Sequence, residues 1–285
     1  MTTVGKVVRR GWALFALPTA LCFAVFFIVP LAMGIYLSFT SFRTVTDAKW
    51  VGLKNYVDAL SDPEFGAALW RSVLFTIVTT IIVNVVSFLL AYMFTKAMRG
   101  ANLFRSVFFM PNLIGGIVLG YIWQLLLNGV LALWDRSLTT SAVYGFWGMV
   151  ILMCWQQIGY MMVIYIAGFQ SLPTDLIEAA QVDGASNGQI MRRIIIPLMM
   201  PSVTVCSFLT VANGFKMFDQ NLALTNGAPS NASEMLALNI YDTFYQRSGA
   251  QWKGIGQAKA VVFFLLVIVI ALIQLYFTRR KEVQQ

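Results

Sequence analysis

The sequence predicts an all-α membrane protein with six transmembrane helices and both termini on the cytoplasmic side. Three observations carry this. First, the 285 residues are 59% hydrophobic and only 11% charged, with a mean hydropathy of +0.73; a soluble domain has about a quarter of its residues charged. Second, six runs, at 14–38, 72–94, 107–127, 142–168, 198–218 and 257–277, are apolar over about the 20 residues needed to cross ~30 Å of hydrocarbon. Third, the basic residues behind the net charge of +8 gather at the ends of these runs. That is a pattern of membrane topology and not of a phosphate-binding stripe.

The first run follows Lys6, Arg9 and Arg10 and so has the start of a signal peptide. It continues far beyond a cleavable apolar core, and Leu21 before Cys22 is not the small residue a lipoprotein site requires, so the run reads as a retained span. The later runs are helices too, because open strands leave backbone groups unpaired in lipid. Text such as VVFFLLVIVIALI (261–273) lacks the polar alternation of a barrel strand. Pro18, Pro30 and Pro111 are expected to kink their spans. Gly116 and Gly120 form a GxxxG that suits close helix packing inside one subunit.

Orientation follows from the loops. With the N-terminus, 95–106, 169–197 and the C-terminus on one side, that side holds Lys6, Arg9, Arg10, Lys96, Arg99, Arg105, Arg192, Arg193, Arg279, Arg280 and Lys281. It is therefore expected to be cytoplasmic. The outer loops are then 39–71, 128–141 and 219–256, the last carrying Tyr241, Phe244, Tyr245 and Trp252. The whole of 1–285 reads as one transmembrane domain.

Several function classes fall away. The chain has no histidine, the commonest metal ligand and neutral-pH base. Cys22, Cys154 and Cys206 sit apart in apolar runs and read as packing residues, so no metal site and no catalytic residue is assigned. No acid pairs with a base inside a span, as a membrane-embedded enzyme would need. An ion-driven secondary transporter, the alternative carrier reading, would favour internal repeats and a mid-span acid, and neither is found.

The polar stretch EAAQVDGASNGQIMRRIIIP (178–197) stands out between the fourth and fifth runs. Thr174 is a possible N-cap and Asp175 a first-turn acid, so a helix is expected through LIEAAQV. Asp183-Gly184 supplies a turn, and a second helix is expected from Ala185 toward Ile194–Ile196, with Pro197 and Pro201 at the entry to the fifth span. Ala179, Ala180 and Ala185 leave room for another surface to approach.

Here the sequence resembles the permease subunits of ATP-binding-cassette importers, whose signature is E-A-A, three residues, G, nine residues, I, one residue, L-P. The chain carries Glu178-Ala179-Ala180, Gly184, Ile194 and Ile196-Pro197, with isoleucine for the usual leucine. YLSFTSF (36–42), VGLKNY (51–56), FRSVFFMPN (104–112) and FDQNLALTNGAP (218–229) are similar to the carbohydrate branch, the last departing from the usual text at Ala228. The order of segments resembles the larger maltose-transporter permease type, without its extra N-terminal spans and large outer domain. The resemblance implies the type I importer permease fold in the cell membrane. It also implies a coupling segment (170–197) gripped by a cytoplasmic ATPase through Glu178, Ala179, Ala180, Asp183, Gly184, Ile194 and Pro197. Implied partners are a second homologous permease, two ATP-binding subunits and an extracytoplasmic sugar-binding protein, for which 219–256, with its aromatics, is a candidate docking surface; the competing reading is an amphipathic loop lying on the bilayer interface. The same family importing a non-sugar solute is the alternative. The chain lacks GxxxxGK[ST], so ATP and Mg belong to the partner ATPase, and this subunit is non-catalytic and binds no cofactor itself.

Polar residues inside spans are costly and are therefore candidates for a substrate pathway. Trp155, Gln156, Gln157 and Tyr160 in the fourth run, with Asn213, Lys216 and Asp219 around the end of the fifth, are the types that hydrogen-bond sugar hydroxyls and stack on sugar rings. The competing reading is that Gln and Asn pair between helices, and that Lys216 and Asp219, three apart, form an ion pair. Asn84 and Gln274 are weaker candidates.

Overall fold

The structure, a computed structural model, describes residues 16–95 and 100–279. Lys6, Arg9, Arg10, Lys96, Arg99, Arg280 and Lys281, on which much of the orientation rests, lie outside the described residues, as do the first two residues of the 14–38 span. Among the described residues five helices are long and apolar enough to cross a membrane, and a bent pair makes a sixth if counted as one span. The chain packs as two compact units.

The first unit joins the described part of 1–62 to 240–263. Its first element, α1 (Ala16–Ser38), has a π-helical stretch at Ala24–Ile28. The carbonyl four residues before Pro30 belongs to Phe26, inside that stretch. Proline offers no N–H and its ring collides with that carbonyl, so the backbone widens there. Beyond Ser38 a two-residue strand β1 (Thr40–Ser41) pairs antiparallel with β2 (Lys49–Trp50), and α2 (Lys54–Leu60) follows. Asn55, 3% exposed, ties the C-terminal end of α1 to α2 by donating to the Ser38 and Thr40 carbonyls at 2.9 and 2.8 Å. Phe39 stacks on Trp50 with ring centres 5.3 Å apart and meets Tyr56 at 5.1 Å in a tilted arrangement.

The second unit, 63–239 with the described residues from Phe264, is built on α3 (Pro63–Thr95). Its buried residues include Phe65, Ala68, Ser72, Thr76, Thr79, Val83, Ser87 and Ala91, a stripe at three- and four-residue spacing. Small and hydroxylated residues on that stripe let a neighbouring helix come close, which matters where lipid gives no hydrophobic drive between helices. The next elements are α4 (Ala101–Phe109), a 3₁₀ turn at Met110–Leu113 and α5 (Gly116–Leu131). α6 (Ala142–Gln170) is the central helix: 67% of its most apolar window is buried, against 28% or less for the other single-helix spans. Gly159 permits this, because its Cα faces the Phe108 carbonyl so closely that a Cβ would collide with it.

After α6 come α7 (Thr174–Val182), α8 (Asn187–Leu198) and α9 (Met200–Phe215), the last two meeting at a 66° bend. α8 passes through a π-helical stretch at Met191–Ile195, which again contains the residue four before a proline, Arg193 before Pro197. Then follow α10 (Asp219–Leu224), α11 (Leu236–Tyr241) and α12 (Ala250–Arg279), the last two running through the boundaries of the units.

The spans differ from the expected ranges in instructive ways. The second begins at Pro63 instead of 72, so its first turns carry Glu64 and Arg71. The 107–127 run is not one helix: Pro111 and the Gly115-Gly116 pair end α4 and restart the chain as α5. The 219–256 loop contains two short helices, a π turn at Asp242–Gln246 and the start of the last span, seven residues before the expected 257.

Candidate functional site: the 174–197 helix pair

The Asp183-Gly184 turn forms as the sequence suggests. Gly184 has φ +77, a left-handed conformation that costs a residue with Cβ about 1–2 kcal/mol. Its N–H donates to the Gln181 carbonyl at 3.1 Å, and the Ala185 N–H donates to the Ala180 carbonyl at 2.9 Å. These are the two bonds of a Schellman motif, which satisfies carbonyls that the helix end leaves free. Two expectations are corrected at the helix starts. Thr174 is the first helical residue and not the cap; Pro173 occupies the cap position with no side-chain bond. The second helix starts at Asn187 and not Ala185, because Ser186 and Gln189 form a capping box: Gln189 Oε1 accepts from the Ser186 N–H at 2.8 Å, and Ser186 Oγ accepts from the Gln189 N–H at 3.4 Å. Asp175 does lie in the first turn.

The structure divides the signature residues by face. Ala180, Ala185 and Ile177 pack against the buried core, together with the fully sequestered Ile190 and Ile195. Glu178, Ala179, Asp183 and Gly184 are exposed, and Ile194 and Pro197 are half-buried. On the outward face Val182 is 88% exposed and Leu176 48%; with Ala179 between them they form an apolar i, i+3, i+6 row beside Glu178 and Asp183. The sequence reading missed Leu176 and Val182; the three-residue spacing from Leu176 to Val182 was the available signal. A hollow of about 260 Å³ lined by Asp183, Gly184, Gln189, Arg193 and Ile194 lies at the turn.

Of the residues proposed for a pathway, Gln157 and Asn213 are engaged with each other and Gln156 with a further amide. Asn213 Nδ2 donates to Gln157 Oε1 at 3.1 Å, and Gln220 Nε2 donates to Gln156 Oε1 at 3.0 Å, with Gln156 and Gln157 each 6% exposed. Tyr165 donates to Asn84 Oδ1 at 2.7 Å, and Asn84 Nδ2 donates to Thr210 at 3.3 Å. Trp155 is 43% exposed with its ring 5.4 Å from Trp123, and half-buried Tyr160 lies 6.2 Å from Phe109. Lys216 and Asp219 are both exposed and make no ion pair among the described residues. Gly116 and Gly120 pack within the subunit: a Cβ on Gly116 would meet Asp219 at 2.8 Å, and one on Gly120 would meet Ala223 at 2.5 Å.

The FDQNLALTNGAP stretch works as a polar knot. Asn221, fully buried, donates to the Ser233 carbonyl and to Thr225, each at 3.1 Å, and accepts from the Met235 N–H at 2.8 Å. Arg71 donates to the Glu234 and Asn231 carbonyls at 2.9 and 3.1 Å. The knot fixes the backbone of 221–235 beside the span end that carries Lys216.

Several apolar helices surrounding one buried helix, with an exposed helix pair braced on their core, define a multi-pass membrane protein of the transport-permease class. The chain belongs to the family of binding-protein-dependent transport system inner membrane components, which residues 99–283 match. It is 42% identical over 298 aligned residues, covering 100% of both chains, to the "Probable starch degradation products transport system permease protein AmyD" of Thermoanaerobacterium thermosulfurigenes. It is 28% identical to the "Multiple sugar-binding transport system permease protein MsmF" of Streptococcus mutans, over 99% of this chain and 100% of that one. A solved structure, the "bacterial alginate ABC transporter in complex with alginate pentasaccharide-bound periplasmic protein", shares its fold, with a TM-score of 0.79 at 21% identity over 96% of each chain. The fold is thus that of an ATP-binding-cassette importer permease.

Proposed function

We propose that this chain is the membrane-spanning subunit of an ATP-driven importer that translocates a carbohydrate delivered by an external binding protein. The carrying observation is the helix pair 174–197. It braces Ala180, Ile190 and Ile195 on the core while presenting Glu178, Ala179, Val182 and Asp183 outward, which is the form of a handle for a separate protein. A rigid grip on such a segment carries motion of the partner into the span behind it. In this reading α8 and α9 form the fifth of six spans, both termini are cytoplasmic, and 174–197 docks in a cytoplasmic ATPase that holds the ATP and Mg. The remaining partners are a second homologous permease, a second ATPase and a sugar-binding protein facing the outer loops. The name of the relative AmyD supports short glucose oligomers of the kind starch breakdown yields as cargo.

The test is an affinity pull-down from gently solubilised native membranes, followed by reconstitution of the recovered assembly into liposomes with the binding protein. Recovery of an ATPase and a second permease, with ATP-dependent uptake of labelled maltoheptaose, is the expected result. Recovery of this chain alone in several mild detergents would overturn the coupling reading. An intact assembly that takes up no glucose oligomer would overturn the cargo.

A further inference from the structure

Several polar side chains of the spans bond one another, among them Gln157 with Asn213 and Asn84 with Tyr165; a second group of polar residues lines a cleft. In the first unit, α2 and the segment leading into α12 line an open cleft of about 800 Å³. This is the size range of small-ligand sites. Its lining carries charges of both signs, Lys54 and Arg247 with Asp58 and Asp62. Asp62 is held at the cleft wall by Lys259 at 2.7 Å, with Arg247 3.8 Å away. The Arg247 guanidinium lies 4.6 Å from the centre of the half-buried Trp252 ring, making a flat wall. Lys54, Asp58 and Gln251 also line the cleft, and their side chains have no partner among the described residues.

We infer that this cleft is a contact site for a neutral oligosaccharide, separate from any site within the spans; the inference rests on the carbohydrate cargo proposed above. Cations and carboxylates alternate around the cleft, so it presents no single-sign field to select an ionic ligand. It does offer unpaired donors and acceptors of the kind that bind hydroxyl groups, next to a planar wall on which the C–H face of a sugar ring packs. Lys54 and Asp58, one helical turn apart on α2, present a donor and an acceptor side by side. Asp62 is fixed by its two cations and positions Arg247, and so is assigned a supporting part.

The test uses the whole transporter in lipid nanodiscs without its binding protein, with maltoheptaose as probe and saturation-transfer NMR as readout. Magnetisation transfer to the oligosaccharide is expected, weakened about 10-fold in affinity by Asp58→Asn, which turns one acceptor oxygen into a donor, or by Lys54→Met, which removes a donor. Both side chains are free of internal partners, so neither variant threatens folding; Trp252→Ala should also weaken binding. Absence of transfer, or transfer indifferent to all three variants, would overturn the site. Loss of binding-protein affinity in these variants with oligosaccharide binding intact would also overturn it, assigning the cleft to a protein surface. ATP-driven maltoheptaose uptake by the wild-type assembly separates the two levels: uptake without cleft binding sinks the cleft alone, and no uptake sinks the cargo reading with it.

Discussion

Lys259, fully buried in the last helix, places its Nζ 2.7 Å from Asp62 Oδ2 and 2.9 Å from Thr243 Oγ1. A cation removed from water is tolerated when paired and hydrogen-bonded, and removing one partner typically costs about 3–5 kcal/mol because the other charge stays behind. Lys259→Met should therefore lower the thermal stability of the detergent-solubilised protein markedly. Arg247, 3.8 Å from Asp62, offers only partial replacement. Adding Asp62→Asn to Lys259→Met should restore most of the loss. Size-exclusion profiles after a heating series would show it; a double variant no better than the single would argue against charge pairing as the cause.

Glu178 is exposed on the outward face of α7, one residue from Ala179 and one turn from Val182. Glu178→Lys should abolish transport and ATPase co-purification while leaving membrane insertion unchanged, since nothing in the core touches that side chain. Uptake at the wild-type rate would remove Glu178 from the docking surface.

Gly184→Ala removes the signature glycine and puts a Cβ on a residue at φ +77. About 1–2 kcal/mol of strain at this turn should loosen the two bonds to Gln181 and Ala180. Hydrogen exchange at the Gly184 and Ala185 positions should rise severalfold, with a partial loss of transport; unchanged protection would mean that the turn is held from elsewhere.

Gly159→Ala places a methyl where the Phe108 carbonyl now lies. A backbone neighbour cannot rotate away, so α4 and α6 must separate, at a typical overpacking cost of about 1–3 kcal/mol. Reduced yield of folded protein and a lowered melting temperature are expected. Gly188→Ala is the control, because a Cβ there meets nothing within 4 Å.

Outside the spans, Asp47 Oδ1 accepts the Arg43 and Thr44 N–H groups at 2.8 and 2.9 Å. These bonds, the Thr44 one contributing most, hold its carboxyl below the ordinary value of 3.8. A carboxyl with a lowered pKa in the folded state contributes its stabilisation in full above the ordinary value, and loses it as pH falls through the lowered one. The 43–47 turn should therefore keep its amide protection from pH 7 to pH 5 and lose it only in stronger acid. Asp47→Asn should lack that acid-dependent step.

The membrane architecture was legible because lipid imposes a coarse rule on length and polarity that any apolar run reveals. Gly184 was legible for a similar reason, since Asp-Gly after a helical stretch has few other uses. The third span was misjudged because hydropathy is blind to the backbone: Pro111 and Gly115 are apolar enough to count toward a span, yet they break it. Pairing was illegible wherever the partner is distant in sequence. Lys259, near the start of the last run, was passed over, and its partner Asp62 lies 197 residues away. Gln157 was read either as a pathway residue or as one that pairs between helices, and Asn213, 56 residues on, is the partner the sequence could not name. Ala179 and Ala180 read identically in sequence and turn out to face opposite ways, a matter of helical phase that only the packing of Ile177 and Ile190 fixes.

The 66° elbow between Asn187–Leu198 and Met200–Phe215 also sets the direction in which force travels. The two arms, at 1.5 Å per residue, are about 18 and 24 Å long. A push delivered along the shorter arm resolves into about four-tenths along the axis of the longer arm and about nine-tenths across it, the cosine and sine of the bend. The pair is thus a bell crank: a thrust at the Ser186 end arrives at Phe215 chiefly as a sideways swing. Straightening the elbow, for instance by replacing Pro197 and Pro201 with alanine, would turn the same thrust into a piston stroke along the span.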